Sequence, residues 1–148
     1  MINRTTMTNR KPFSTAWNSS TRPGKQRKYS YTAPLHRRQA LMHAHLAREL
    51  RTKYGYRHLQ VRTGDTVKVM RGQFAKKEGK VERVQLRYGK VYVAGIELIK
   101  KDGTKRPYPL HPSNLLITAL ELGDRYRKEK LESKIRIKER SESKLKST

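Results

Sequence analysis

Residues 61–84 read VRTGDTVKVMRGQFAKKEGKVERV, and this stretch decides the fold. Val67 and Val69 alternate with a lysine, which is the pattern of a half-buried β-strand, and a Gly-Asp pair supplies a turn before it. A polar and basic loop follows, and a second strand begins at Gly79. A chain that re-enters a sheet at a glycine often needs positive φ or a close backbone approach there.

Further strand signals follow downstream. Val91 and Val93 predict a third strand, and the inward parity then moves by one residue to suit Ile96 and Leu98. A β-bulge at Gly95 would produce that shift, so we expect the strand to bend there.

The rest of the β-region is marked by turns and composition. Asp102-Gly103 predicts a hairpin that returns the chain toward Leu110, and a last short strand is expected at 115–118. All seven valines lie between Val61 and Val93. Five short strands with glycine-rich turns in about sixty residues favour a mainly β fold, a small and strongly bent barrel that hides its strand edges.

The segments around this barrel differ in character. Residues 1–31 show no hydrophobic period and are interpreted as a basic arm that becomes ordered on RNA. Residues 32–60 are predicted to be helical, with helices at about 34–43 and 45–54. Residues 61–120 form the barrel, and 121–148 form a basic C-terminal tail.

The C-terminal tail is predicted to begin as a helix. Asp124 is a plausible N-cap, and the residues that follow it favour helix. Leu131 and Ile135 give this helix a thin apolar face. Beyond about Arg140 the chain is mostly Ser, Lys and Glu, and disorder or RNA-induced order is expected.

Charge indicates the partner. The chain carries 36 Lys and Arg against 12 Asp and Glu, a formal net charge of +24. Residues 1–60 hold 13 basic residues and one acidic residue, Glu49. Self-repulsion of this size opposes compaction unless a polyanion neutralises it, and the nucleic-acid backbone is the first candidate.

Several function classes are disfavoured by what the sequence lacks. No stretch approaches the roughly 20 apolar residues of a membrane span, and no secretory signal is visible, so we expect no membrane partner. Cysteine is absent, which excludes disulfides and thiolate metal sites. His36, His43 and His45 have no carboxylate or thiol to complete a metal set. We expect no cofactor, no small-molecule substrate and no catalytic residue.

Three clusters of cations, with occasional aromatic, His or polar side chains, are predicted to contact RNA. The arm cluster is Arg22, Lys25, Arg27, Lys28, Tyr29, Tyr31, His36, Arg37 and Arg38. The motif cluster is Lys68, Arg71, Lys76, Lys77 and Lys80. The return cluster is Lys105, Arg106, His111, Ser113 and Asn114.

Each cluster also has a purely structural interpretation. A run of charge is often only a solvated face, although the near absence of acids favours RNA contact for the arm. The glycines of the motif loop are also what any tight β-turn needs, and Pro112 and Asn114 explain a turn at 111–114 without a ligand. Tyr92 and Tyr108 suit barrel packing better than base stacking.

Residues 64–72, together with Gly79-Lys80-Val81, resemble a KOW motif, which occurs in some ribosomal proteins and in transcription elongation factors. The flanking stretches 33–38, 46–55 and 111–114 extend the likeness. From about residue 24 to 134 the chain resembles the archaeal and eukaryotic form of the universal large-subunit ribosomal protein twenty-four family, twenty-six in the older eukaryotic naming. Its short hairpin leans toward the archaeal form.

This resemblance implies an SH3-like barrel in a cytoplasmic protein of the large ribosomal subunit. It implies direct binding to the 5′ region of large-subunit rRNA, and a part in subunit assembly. A position near the exit of the peptide tunnel, beside neighbouring large-subunit proteins, is implied as well. A KOW-type transcription elongation or antitermination factor is the alternative, although residues 1–60 are too basic and polar to form the polymerase-binding domain expected of that class.

Overall fold

The computed structural model describes the backbone of residues 13–146 and the side chains of residues 13–136. Within that range the strands are β1 (His43–Leu46), β2 (His58–Gln60), β3 (Thr66–Val69), β4 (Glu78–Gln85), β5 (Lys90–Val93), β6 (Glu97–Ile99), β7 (Lys105–Pro107) and β8 (Leu115–Ala119). The α-helices are α1 (Pro23–Thr32), α2 (Leu35–Leu41), α3 (Arg48–Tyr54) and α4 (Arg125–Lys146).

Six strands form one sheet in the order β2-β1-β8-β3-β4-β5. β1 runs parallel to β8, and all other neighbours in this sheet are antiparallel. Among the described strands β6 and β7 pair only with each other, and a bridge between Val91 and Leu110 returns the chain to β5. This arrangement confirms a mainly β, small SH3-like fold with short N-terminal helices and a C-terminal helix.

The core lies on the inner face of this sheet. β3 and β5 alternate as the sequence predicted, because Val67, Val69 and Val91 have no exposed surface. Leu46 and Ile117, from the parallel pair β1 and β8, are also fully buried. The segments on either side of the central strands therefore meet them in one hydrophobic core.

Gly79 is required by close backbone approach. A Cβ at this position would lie 2.5 Å from the carbonyl oxygen of Ala94, which is closer than such atoms can pack. Gly79 does not have the positive φ that was offered as the other reason for a glycine here.

The β-bulge predicted at Gly95 is wrong in its place. The register shift of this hairpin lies between Val81 and Arg83 of β4, and Gly95 occupies a turn with φ of 76°. Ile96 is buried as expected, but Leu98 is 43% exposed. The reason is that β6 leaves the main sheet and pairs with β7, so its alternation is not set by the core.

The helix predicted at 45–54 is wrong in its first residues. Residues 43–46 form β1, and α3 begins only at Arg48. Ala44 and Leu46 are buried in the sheet because β1 pairs with β8, a strand about 70 residues later. The sheet therefore takes β1 and β2 from the segment that was predicted to be helical, while α2 agrees with the helix predicted at 34–43.

The N-terminal arm contains a helix that the sequence did not reveal. Pro23 occupies the first turn of α1, and Tyr29 is only 8% exposed. The Tyr29 ring packs against Phe13, with centroids 5.2 Å apart, and the Gln26 amide donates to the carbonyl oxygen of Asn18 at 2.7 Å. The part of the arm prediction that concerns residues 1–12 lies outside the described residues.

The C-terminal helix begins as predicted and extends further. The Asp124 carboxylate accepts a hydrogen bond from the Tyr126 backbone N–H at 3.1 Å, which confirms the cap. Leu131 is 1% exposed and Ile135 packs against the core. The backbone stays helical to Lys146, so the expected disorder beyond Arg140 is wrong up to that residue, and 147–148 lie outside the described range.

A buried ion pair fastens α4 to the barrel. Arg127 and Asp65 are 5% and 0% exposed, and the guanidinium donates to both carboxylate oxygens, at 2.6 and 2.8 Å. It also donates to the carbonyl oxygens of Glu121 and Gln60, and the carboxylate accepts the backbone N–H groups of Arg62 and Glu121. The sequence analysis assigned neither residue this part.

Candidate nucleic-acid interface

Most of the arm cluster lies on two exposed helices. Arg22 is the N-cap of α1, and Lys25, Arg27 and Lys28 follow on that helix. The Lys28 ammonium lies 4.9 Å from the centre of the Trp17 ring. Tyr31 is 79% exposed, while His36 and Arg37 are exposed on α2. The structure thus presents these cations to solvent from a helical surface.

Two members of the arm cluster make internal contacts instead. Tyr29 is buried beside Phe13 and belongs to the packing of the N-terminal helix. The Arg38 guanidinium donates to the carbonyl oxygens of Ala33, Tyr31 and Arg87, which ties the linker after α1 to the turn before β5. These contacts give both side chains a structural task and leave their RNA contact as a prediction.

The motif cluster surrounds the loop between β3 and β4. This loop is closed by hydrogen bonds from Lys76 N–H to the Val69 carbonyl at 2.7 Å and from Val69 N–H to the Lys77 carbonyl at 2.8 Å. Lys68 pairs with Glu78 at 2.9 Å, so its charge is already partly compensated.

The other four cations of the motif cluster remain available. Arg71, Lys76, Lys77 and Lys80 are exposed, and among the described residues none of them pairs with a carboxylate. Lys76 holds a left-handed conformation with φ of 72°, and Lys77 lies 5.4 Å from the centre of the Phe74 ring. The loop therefore projects cations from a fixed backbone.

The return cluster divides between two places. Lys105 and Arg106 are exposed on β7 of the small hairpin. His111, Ser113 and Asn114 form a 3₁₀ turn, where the His111 ring nitrogen accepts the Ser113 backbone N–H at 3.3 Å. This hydrogen bond supports the turn interpretation of 111–114.

The 3₁₀ turn lies directly beside the motif loop. The Met70 backbone N–H donates to the Asn114 carbonyl at 2.8 Å. Arg71 and Ser113 consequently line the same cleft, of about 510 Å³. The complete lining of this arginine cleft is His45, Arg51, Arg57, Met70, Arg71, Ser113, Leu115 and Leu116.

The arginine cleft contains three basic residues that the sequence analysis did not select, namely His45, Arg51 and Arg57. Within residues 13–136 no carboxylate lines the cleft, so its potential is positive and suits a phosphate. The Arg51 side chain is fixed by donating to the Leu46 carbonyl at 2.6 Å. The signal that could have found the cleft was the alternation of His43-Ala44-His45-Leu46, which is the pattern of a strand.

Two histidines have altered proton affinities. Burial lowers the pKa of His43, and the neighbouring His58 and Lys130 lower it further. Burial also lowers the pKa of His111, with a second contribution from Lys90. The His111 ring is therefore neutral at pH 7, which allows its nitrogen to accept a hydrogen bond in the 3₁₀ turn.

Other site types are not found in the described part of the chain. Residues 13–146 hold no group of three or more His, Asp or Glu side chains that could bind a metal. None of the helices in that range is long and apolar enough to cross a bilayer.

A small SH3-like fold whose loops, helices and one cleft present mainly unpaired cations, as far as the described residues extend, defines the class of basic β-barrel proteins. Residues 20–134 match the family model of the ribosomal proteins called L26 in eukaryotes and L24 in archaea. This match covers well over half of the 148 residues, and the chain belongs to that family of ribosomal proteins.

Curated relatives agree with the family match. The chain is 52% identical over 105 residues to large ribosomal subunit protein uL24 of Methanothrix thermoacetophila, covering 71% of this chain and 90% of the relative. It is 49% identical to uL24 of Methanocorpusculum labreanum, covering 78% and 96%. The uL24 of Korarchaeum cryptofilum is 48% identical, with coverage of 78% and 88%.

Family membership settles two of the open alternatives. The family consists of structural ribosomal proteins, so the interpretation of the chain as a protein without enzymatic activity is confirmed. The match also favours the ribosomal interpretation over a transcription elongation factor, because it extends through the flanking segments and beyond the motif of residues 64–81.

Proposed function

We propose that this protein is a structural constituent of the large ribosomal subunit, in the cytoplasm, and that it binds large-subunit rRNA directly. Relatives that are about half identical over most of their length are named as large-subunit proteins, and this supports the same assembly here. The net charge of +24 supports rRNA as the direct partner, since only a polyanion compensates so large an excess.

The arginine cleft is the observation that carries the proposal. Arg51, Arg57 and Arg71 come from α3, from the segment before β2 and from the motif loop, and they line one cleft that has no carboxylate among its described lining. Folding thus gathers three guanidinium groups whose mutual repulsion is unfavourable in the free protein. A phosphate in the cleft removes that repulsion and gains charge-assisted hydrogen bonds.

The exposed cations of α1, α2 and the motif loop extend this surface. Arg37 and Lys80 are examples, and both side chains are free of ion pairs within the described residues. We assign the whole set to phosphate contact along folded rRNA, which proteins recognise through shape, phosphates and 2′-hydroxyls.

The finer location follows from the resemblance. We place the protein on the 5′ region of the large-subunit rRNA, near the exit of the peptide tunnel and beside other large-subunit proteins, with a part in subunit assembly. The small size of the fold supports a part in assembly, because a marginally stable domain gains stability from the partner it binds.

The first test is the salt dependence of binding to a 5′ fragment of large-subunit rRNA, measured with the full chain by filter binding or fluorescence anisotropy. If ~8 phosphates are contacted, affinity falls by roughly 10³ to 10⁵ between about 50 and 200 mM salt. An affinity that does not change with salt would contradict phosphate contact.

The second test assigns part of that salt dependence to the cleft. Arg57→Gln removes one cleft cation and is expected to weaken binding and to reduce the salt slope by about 1. Arg125→Gln is the matched control, since Arg125 already pairs with Glu129 at 2.8 Å. Equal losses in the two variants would show that only net charge matters and would refute the assignment of the cleft.

A further inference from the structure

A second cleft lies between the main sheet and the small hairpin. It has a volume of about 560 Å³ and is lined by Arg83, Tyr92, Leu98, Arg106, Pro107, Tyr108 and Pro109. None of the curated relatives' names and none of the predicted clusters assigns this tyrosine cleft a ligand, although Arg106 belongs to the return cluster. Its volume falls within the roughly 300–1,000 Å³ of typical ligand sites.

Two cross-strand pairs form the walls of the tyrosine cleft. Arg83 of β4 lies directly opposite Tyr92 of β5, and Leu98 of β6 lies opposite Arg106 of β7. Each wall therefore presents one guanidinium beside one apolar or aromatic side chain. This pairing follows from the sheet registers, so the two walls repeat the same combination of chemical groups.

The tyrosine rings are held in place before any ligand arrives. Tyr92 lies between the buried Val91 and Val93, so its side chain points away from the core, and its hydroxyl donates to Gln85 Oε1 at 3.1 Å. Tyr108 packs against Phe74, with ring centroids 5.0 Å apart. Both tyrosines are half-buried, so each combines packing with an accessible surface. Fixed rings lose little conformational freedom when a partner stacks on them.

The charge of the tyrosine cleft points to the same partner as the rest of the surface. Within the described residues no carboxylate is part of its lining, and neither Arg83 nor Arg106 takes part in an ion pair there. Aromatic faces bordered by free guanidinium groups are the combination with which proteins hold an unstacked base and its flanking phosphates.

We propose that the tyrosine cleft receives one unstacked nucleobase of the bound RNA. The base stacks on Tyr92 or Tyr108, and Arg83 and Arg106 contact the phosphates on either side of it. This inference rests on the proposed rRNA binding and adds to it a site that reads a base rather than a phosphate. It assigns the two tyrosines a task that the sequence analysis placed second to barrel packing.

The direct test uses small probes with the full-length protein. Adenosine 5′-monophosphate at millimolar concentration is expected to shift the ring proton signals of Tyr92 and Tyr108 in an NMR titration. Ribose 5-phosphate carries the same phosphate without the base and is expected to leave those signals in place. Equal responses to both probes, or a response only to a proline-rich peptide, would overturn the proposal.

The second test uses the 5′ rRNA fragment. Tyr92→Leu keeps an apolar side chain but removes the ring, and is expected to weaken binding about 5- to 150-fold, the range for one stacked base. Tyr92→Phe retains the ring and should bind within a few-fold of the original protein. Tyr88→Leu is the matched control, since Tyr88 is 63% exposed and lies outside the cleft.

These outcomes separate the two proposals. If the unmodified protein binds the fragment and Tyr92→Leu binds equally well, the base site is refuted and the proposed function stands. If the unmodified protein fails to bind the fragment at all, the proposed function itself is refuted. Should Tyr92→Leu fail to fold, the nucleotide titration on the unmodified protein decides the question alone.

Discussion

The buried pair of Asp65 and Arg127 is expected to be the most sensitive point of the fold. Arg127→Met keeps most of the length of the side chain and removes its four hydrogen bonds, two to the carboxylate and one each to the carbonyl oxygens of Glu121 and Gln60. Asp65, which has no exposed surface, is left as a buried anion that keeps the backbone N–H donors of Arg62 and Glu121.

The expected loss is large for a domain of this size. Removing one partner of a buried ion pair costs about 3–5 kcal/mol of unfolding free energy, because the remaining charge stays desolvated. Whole domains are stable by only about 5–15 kcal/mol. With a urea m-value of about 2 kcal/mol/M, the unfolding midpoint of Arg127→Met falls by roughly 1.5–2.5 M.

Urea unfolding followed by circular dichroism measures this loss in the free protein. Glu78→Gln is the matched control, because the Lys68–Glu78 pair is 38% and 49% exposed and such pairs contribute about 0–1 kcal/mol. The loss in Arg127→Met should also persist at high salt, where exposed pairs are screened. A loss in Arg127→Met no larger than that in Glu78→Gln would refute the reasoning.

Two further predictions concern backbone packing and pH. Gly79→Ala is expected to cost about 1–3 kcal/mol of unfolding free energy, because its Cβ would lie 2.5 Å from the Ala94 oxygen, whereas Gly24→Ala, with no neighbour within 4 Å, should cost almost nothing in the same denaturation assay. Because the folded pKa values of His43 and His111 lie below their unfolded value of 6.5, the unfolded chain binds protons first, and stability is lost as pH falls from about 6.5 through the folded values. The double variant His43→Gln with His111→Asn should flatten the dependence of thermal stability on pH between about 7 and 5.5, and an unchanged pH dependence would contradict this assignment.

Local patterns in the sequence predicted the middle of the fold well. The valine alternation identified β3 and β5, and the Asp102-Gly103 turn identified the hairpin of β6 and β7. The Asp124 cap was equally visible, because a cap depends on residues only two or three positions away. Each of these features is decided within a short window of neighbouring residues.

Long-range pairing accounts for what the sequence did not reveal. β1 becomes a strand because it pairs with β8, and Asp65 meets Arg127 across 62 positions. The arginine cleft depends on the same β1–β8 pairing, so Arg51 and Arg57 could not be selected from local pattern. Their charge was visible in the sequence, but their convergence with Arg71 is a property of the topology.

The central place of β8 also governs the order in which the chain can mature. Of the described strands β8 is the last to be synthesised, yet it separates the β2-β1 pair from β3, β4 and β5. A nascent chain that ends before Leu115 holds two partial sheets with open edges, which are exposed to wrong pairing. The basic N-terminal helices have by then already been made, so RNA can engage the chain before its barrel closes.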